Sequence, residues 1–103
     1  MGATLSGVVA QPKLNCHVGP ITKSYGGTDW LVYSCDDQRS VVFMAAPSSP
    51  ATPFYFILLK QESGHQLMGE GTGNRDATGA AFSDLKKLSE KEIGALIEQT
   101  KAK

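Results

Sequence analysis

Residues 29–61 read DWLVYSCDDQRSVVFMAAPSSPATPFYFILLKQ, and this stretch decides the fold. Asp29 to Cys35 and Ser40 to Ala45 are dense in β-branched and aromatic residues, and the polar run Asp36-Asp37-Gln38-Arg39 between them has the chemistry of a hairpin turn. Phe54 to Gln61 is a third strand, apolar on both faces as far as Lys60, which predicts a central strand covered on each side or nearly so. Ala46 to Pro53, APSSPATP, carries three prolines and no charge. Proline has no amide hydrogen to give a ladder, so a loop protruding into solvent at the sheet edge is expected there.

Downstream, Glu62-Ser63-Gly64 forms a short turn into a strand at His65 to Gly69, which completes an antiparallel meander of about four strands within residues 29–70. Residues 74–101 are helical. Asn74 or Asp76 can cap a first helix, and Ala77, Ala81, Leu85 and Leu88 follow a spacing near 3.6. Ser89 and Glu92 fit a capping box for a second helix, whose Ile93, Leu96 and Ile97 form one stripe. Whether Leu88-Ser89 is a break or a kink is not decided by the pattern. Upstream, residues 1–28 read as irregular: Leu5, Val8 and Val9 suggest a short strand ended by Pro12, and Gly19, Pro20, Gly26 and Gly27 mark Cys16 to Thr28 as loop. The expected architecture is a single α+β domain over 1–103, an antiparallel sheet with one or two C-terminal helices packed on one face.

Composition agrees with a modest globular core, since 41% of the 103 residues are hydrophobic and these recur in clusters. Ten basic residues balance ten acidic ones, and the C-terminal lysines alternate with acids as on a solvated helix face. Nucleic acid is therefore not expected as a partner, because phosphate binding needs a net basic face. No run approaches the length of a membrane span, and Met1 to Val9 lacks the basic start and long apolar middle of a signal peptide. The two cysteines, Cys16 and Cys35, suit a disulfide and hence a periplasmic or secreted protein; on that reading Met1 was added to a mature form. Two buried thiols are the alternative. Met1, Gly2 and Ser6 also fit the loose myristoylation pattern, which chance or a cloned Met-Gly start explains better.

Candidate sites are few. Gly69-Glu70-Gly71-Thr72-Gly73-Asn74 precedes a helix, where glycine amides and the helix N-terminus suit an anion; the weak anion-binding set is Gly69, Gly71, Gly73 and Asn74. The dinucleotide fingerprint wants a glycine at Asn74 and a parallel strand after the helix, and Glu70 opposes an anion, so a flexible connection is the ordinary explanation. Cys16, His17, Cys35, Asp36 and His65 have zinc-ligand chemistry without zinc-ligand spacing, and no metal is expected. A cysteine nucleophile with His17 or His65 requires a free thiol. Asp36 and Asp37 are turn formers before they are an acid–base pair.

The aromatic residues offer a surface instead. Phe43 and Phe56 belong to the core, whereas Trp30, Tyr33 and Tyr55, with Pro47 and Pro50 of the uncharged link, are candidates for an interaction surface. Alternation sets Trp30 and Val32 on one face and Leu31 and Tyr33 on the other, so helices on one face leave one pair open. The sequence thus points to a small non-enzymatic domain that binds another protein, with no cofactor and with a homodimer through an edge strand as one form of association. An anion or small-molecule binder at the glycine loop is the alternative, and a small cysteine enzyme comes third.

Overall fold

The structure, a computed structural model, describes residues 14–103. The strand read at Leu5 to Val9 and the Met1-Gly2-Ser6 match lie outside those residues. Five strands, β1 (Val18–Tyr25), β2 (Thr28–Ser34), β3 (Val41–Ala45), β4 (Phe54–Gln61) and β5 (Gly64–Gly71), are followed by helices α1 (Arg75–Leu85) and α2 (Glu90–Lys101). The sheet order is β1-β2-β3-β4-β5 and every pairing is antiparallel, so it is a meander.

The fifth strand corrects the expectation of a loop from Cys16 to Thr28. Gly19 and Pro20 sit in a bulge between Val18 and Ile21, and Gly26-Gly27 turn the chain between the paired Tyr25 and Thr28. Both turn glycines have positive φ, +62° and +80°, as a hairpin turn matched to strand twist requires. Gly26 also lies against the α1 backbone, where a side chain would strike Ala81, and its amide donates to Asp84 Oδ2 at 2.6 Å. The glycines and proline punctuate a strand rather than replace it.

Strand alternation sends Trp30 and Val32 of β2, Val41 and Phe43 of β3, and Phe56 and Leu58 of β4 to one face, where all are buried. Ala81 and Leu85 of α1 and Ile93, Leu96 and Ile97 of α2 cover that face. Both helices are capped as expected: the Asn74 side chain accepts from the Ala77 amide, and Ser89 and Glu92 form a reciprocal capping box. The Ser89 amide donates to Glu92 Oε1 at 2.8 Å, and this bond, with the Ser89 hydroxyl beside it, holds the Glu92 carboxyl below its usual range. Leu88-Ser89 is a break, because α1 stops at Leu85 and α2 begins afresh after Ser89. A buried hydroxyl pair ties α2 to the sheet: Thr100 donates to the Ile97 carbonyl at 2.6 Å, leaving Ser34 to donate to Thr100 at 2.7 Å.

Cys16 and Cys35 form a disulfide, with an S–S distance of 2.00 Å, that joins the approach to β1 to the end of β2. Constraining a loop of this size contributes about 3 kcal/mol in the chain-entropy account. Asp37 organises the following turn by accepting from the Arg39 and Ser40 amides and the Ser40 hydroxyl. Partial burial pushes its carboxyl up. The Ser40 and Arg39 hydrogen bonds and the Arg39 charge outweigh that and hold it below the ordinary carboxylate range.

The 46–53 link does not protrude as expected. Ala51 is fully buried and Ser49 nearly so, because the Ser49 hydroxyl accepts from Thr28 Oγ1 at 2.8 Å and from the Ala51 amide at 3.0 Å. Local side-chain bonds supply what the prolines cannot, and the link folds back over the end of the sheet.

Candidate functional site

The helices cover one face of the sheet, and among the described residues no element covers the other. By the same alternation that buries Trp30 and Phe43, the open face receives Leu31 and Tyr33, Val42 and Met44, Tyr55, Ile57 and Leu59, and Met68. Cross-strand register gathers them into two rows: Leu31, Met44, Tyr55 and Glu70, then Tyr33, Val42, Ile57 and Met68. Met44 is 45% exposed, and Tyr55 and Met68 are each 39% exposed, which is high for large apolar side chains within strands. Among the described residues β4 is consequently covered on one side only. Its second apolar set faces outward, contrary to the expectation of a strand enclosed on both faces.

Where the first row meets the proline link, the face deepens into a groove of about 470 Å³. Met44, Pro47, Pro53, Phe54 and Tyr55 make its walls, and Glu70 is the single charged residue among them. The Tyr55 hydroxyl donates to Glu70 Oε1 at 3.1 Å, and this bond, reinforced by the carboxylate charge, raises the phenol above its ordinary pKa. The groove is apolar, with one oriented polar pair at its rim. Tyrosine and methionine are enriched, and charge is scarce, at the centres of protein interfaces in general.

Of the residues proposed from sequence for an interaction surface, the structure brings Tyr55 and Pro47 together in this groove and sets Tyr33 in the second row of the same face. Pro50 is exposed on the link but apart from the groove lining. Trp30 is not on the surface at all. It is 0% exposed beneath the helices, its indole N–H donates to the Tyr25 carbonyl at 3.1 Å, and its ring lies 5.3 Å from that of Phe56. It shares the covered face with Val32, and the pair left open is Leu31 and Tyr33. Met44, Met68 and Glu70 were not singled out from sequence, although placing Phe43 in the core already directs Met44 to the opposite face.

The glycine loop is used structurally. Gly69 and Gly71 belong to β5, and the amides of Thr72 and Gly73 both donate to the Pro53 carbonyl, at 3.0 and 3.1 Å. The Asn74 amide donates to the Pro50 carbonyl at 3.1 Å. The Gly73 and Asn74 amides are thus already engaged with the proline link, those of Gly69 and Gly71 lie on the edge of a strand rather than in a loop, and Gly73 is small because Ala51 occupies the space of a side chain. With Cys16 and Cys35 bonded to one another, neither offers a thiolate as nucleophile or ligand. His65 is enclosed between Glu90 Oε2, 2.9 Å from Nδ1, and the Arg39 carbonyl, 2.6 Å from Nε2, and so joins the β5 start to α2 and the β2–β3 turn. Among the described residues, no group of three or more His, Cys, Asp or Glu side chains is placed to hold a metal ion.

Comparison with known proteins finds no family model that matches the chain, no similar curated protein and no matching solved structure.

Proposed function

We propose that this chain is a small, non-enzymatic protein-binding module of an oxidising compartment, the periplasm or the cell exterior, and that it binds through the open face of its sheet. The observation that carries this reading is the row Leu31, Met44 and Tyr55 running into the Pro47–Pro53 groove, an apolar surface that no element of the described chain covers. Contiguous exposed apolar surface of this kind marks interaction sites, and tyrosine rimmed by neutral residues is a common anchor. The Cys16–Cys35 disulfide supports the compartment, since such bonds persist where thiols are not kept reduced. No helix among the described residues is long and apolar enough to cross a membrane. A balanced formal charge gives no footprint for nucleic acid.

The groove gives the test its residues. Chemical crosslinking of the purified protein to a periplasmic or secreted fraction should yield a defined adduct, which Met44→Lys and Tyr55→Lys abolish and Lys91→Ala, on the exposed helix surface, leaves intact. Adducts that survive both lysine substitutions would remove the open face as the binding surface.

A further inference from the structure

The two edges of the sheet are finished differently. At β1 the pairing is broken by the Val18–Ile21 bulge, Pro20 has no amide hydrogen to offer, Lys23 lies on the strand, and both helices pack against it. These are devices that keep a strand edge from pairing with another chain. Among the described residues β5 lacks the bulge, the proline and the lysine, and α2 reaches it at its start, through His65 and Glu90. Its eight residues run in unbroken register with β4, and it carries neither proline nor lysine. Its two ionisable side chains, His65 and Glu70, are turned to partners within the chain, Glu90 and Tyr55.

We propose that β5 is the contact edge of a homodimer, two copies pairing this strand antiparallel about a twofold axis at Met68 so that their sheets become continuous. Thr72 donates across to Pro53 of the β4 line, so strand alternation directs the amides of Gln66, Met68 and Glu70 toward β4. Those of His65, Leu67, Gly69 and Gly71 point outward, and only registers that pair odd-numbered residues with odd-numbered ones let the two copies bond.

Among these registers, the one centred on Met68 is self-complementary on both faces. On the helix side it sets Leu67 of each copy opposite Gly69 of the other. The Phe54 and Phe56 rings occupy the place of a Gly69 side chain, and alongside them lies a groove of about 380 Å³ lined by Phe54, Phe56, Gly69 and Phe82, the last 40% exposed. Leu67, partly buried against the core of its own copy, turns its remaining exposed surface toward the corresponding groove of the second copy. On the open side Met68 meets Met68, and the Gln66 carboxamide meets the Glu70 carboxylate of the other copy, donor to acceptor, twice. Centring on Leu67 instead opposes Leu67 to Leu67 and leaves the grooves empty. Centring on Gly69 sets Met68 against a carboxylate. No like charges are opposed in the Met68 register, and the copies carry no formal net charge to repel one another.

Sedimentation equilibrium of the disulfide-bonded protein over a wide concentration range tests this, with circular dichroism confirming that each variant is folded. The wild type should associate to a dimer. Met68→Lys places two ammonium groups together at the axis and should give a monomer throughout. Gln66→Lys creates two opposite-charge pairs with Glu70 and should tighten association roughly tenfold. A wild type that stays monomeric, or a dimer indifferent to Met68→Lys, would overturn the proposal. So would a dimer that dissociates on Tyr55→Lys but not on Met68→Lys, because the contact would then lie on the open face.

Discussion

Phe43 and Met44 are neighbours in β3 and have opposite fates. Phe43 is fully buried, edge-on to Tyr25 with ring centroids 5.4 Å apart, whereas Met44 is 45% exposed on the other side of the same backbone. The contrast extends across the sheet. Each face carries apolar side chains on β2, β3 and β4, yet two helices cover one face and, among the described residues, nothing covers the other. Hydrophobicity alone therefore does not tell a covered face from an open one here. The covering elements make that distinction, and they come from a separate stretch of chain.

The largest expected difference between the faces is in packing. Phe43→Ala should cost about 3–5 kcal/mol, while Met44→Ala should stay within about 0.5 kcal/mol, both read from urea unfolding. Equal costs would mean that Met44 is packed as a core residue, and the comparison would break. A smaller contrast compares one hydroxyl bond on each face. Thr100→Val strands the buried Ser34 hydroxyl and should destabilise by about 1–3 kcal/mol, whereas Tyr55→Phe removes a solvent-facing bond and should leave the unfolding midpoint unchanged.

The smallest contrast is in titration, because the two tyrosines are shifted upward for different reasons. Tyr25 is pushed from 10.0 up to about 12, first by burial and then by the Glu92 charge. The folded chain holds that phenol proton more tightly than the unfolded chain does, so its contribution to stability is complete below pH 10 and disappears as the pH rises to about 12. Tyr25→Phe should flatten that alkaline limb. Tyr55 owes its rise to the Glu70 hydrogen bond and charge on an exposed surface. Glu70→Gln should return its ultraviolet titration toward that of free tyrosine, and added salt should do part of the same. If salt moved Tyr25 as readily, its burial beneath the helices would be in doubt.

Much of this arrangement was legible from residue order. DWLVYSC, SVVFMA and FYFILLKQ gave three strands because β-branched and aromatic runs bounded by polar turns have few other solutions. Ser89 and Glu92 fixed the second helix start through a reciprocal bond that depends only on local spacing. β1 was missed because Gly19, Pro20, Gly26 and Gly27 are turn formers at a bulge and a hairpin as well as in loops. The intervening alternation of Ile21, Lys23 and Tyr25 against Thr22 and Ser24 was too weakly apolar to outweigh them. The site was half legible: the period of two separates Trp30 from Leu31 without saying which face the helices choose. That choice rests on long-range contacts such as Ser34 with Thr100 and Gly26 with Asp84, which no local pattern announces. The engagement of the glycine loop by the Pro50 and Pro53 carbonyls was hidden for the same reason.

The meander has a consequence for synthesis. Each strand pairs with its neighbour in sequence, so the sheet can grow hairpin by hairpin as the chain emerges, with short loops to close at each step. The helices that shield Trp30 and Phe43 follow all five strands. A nascent chain that has reached Gly71 therefore displays two greasy sides, and translation of the next thirty or so residues reduces them to one. During that interval the domain is most in need of a chaperone, and slow codons placed after β5 would lengthen its exposure.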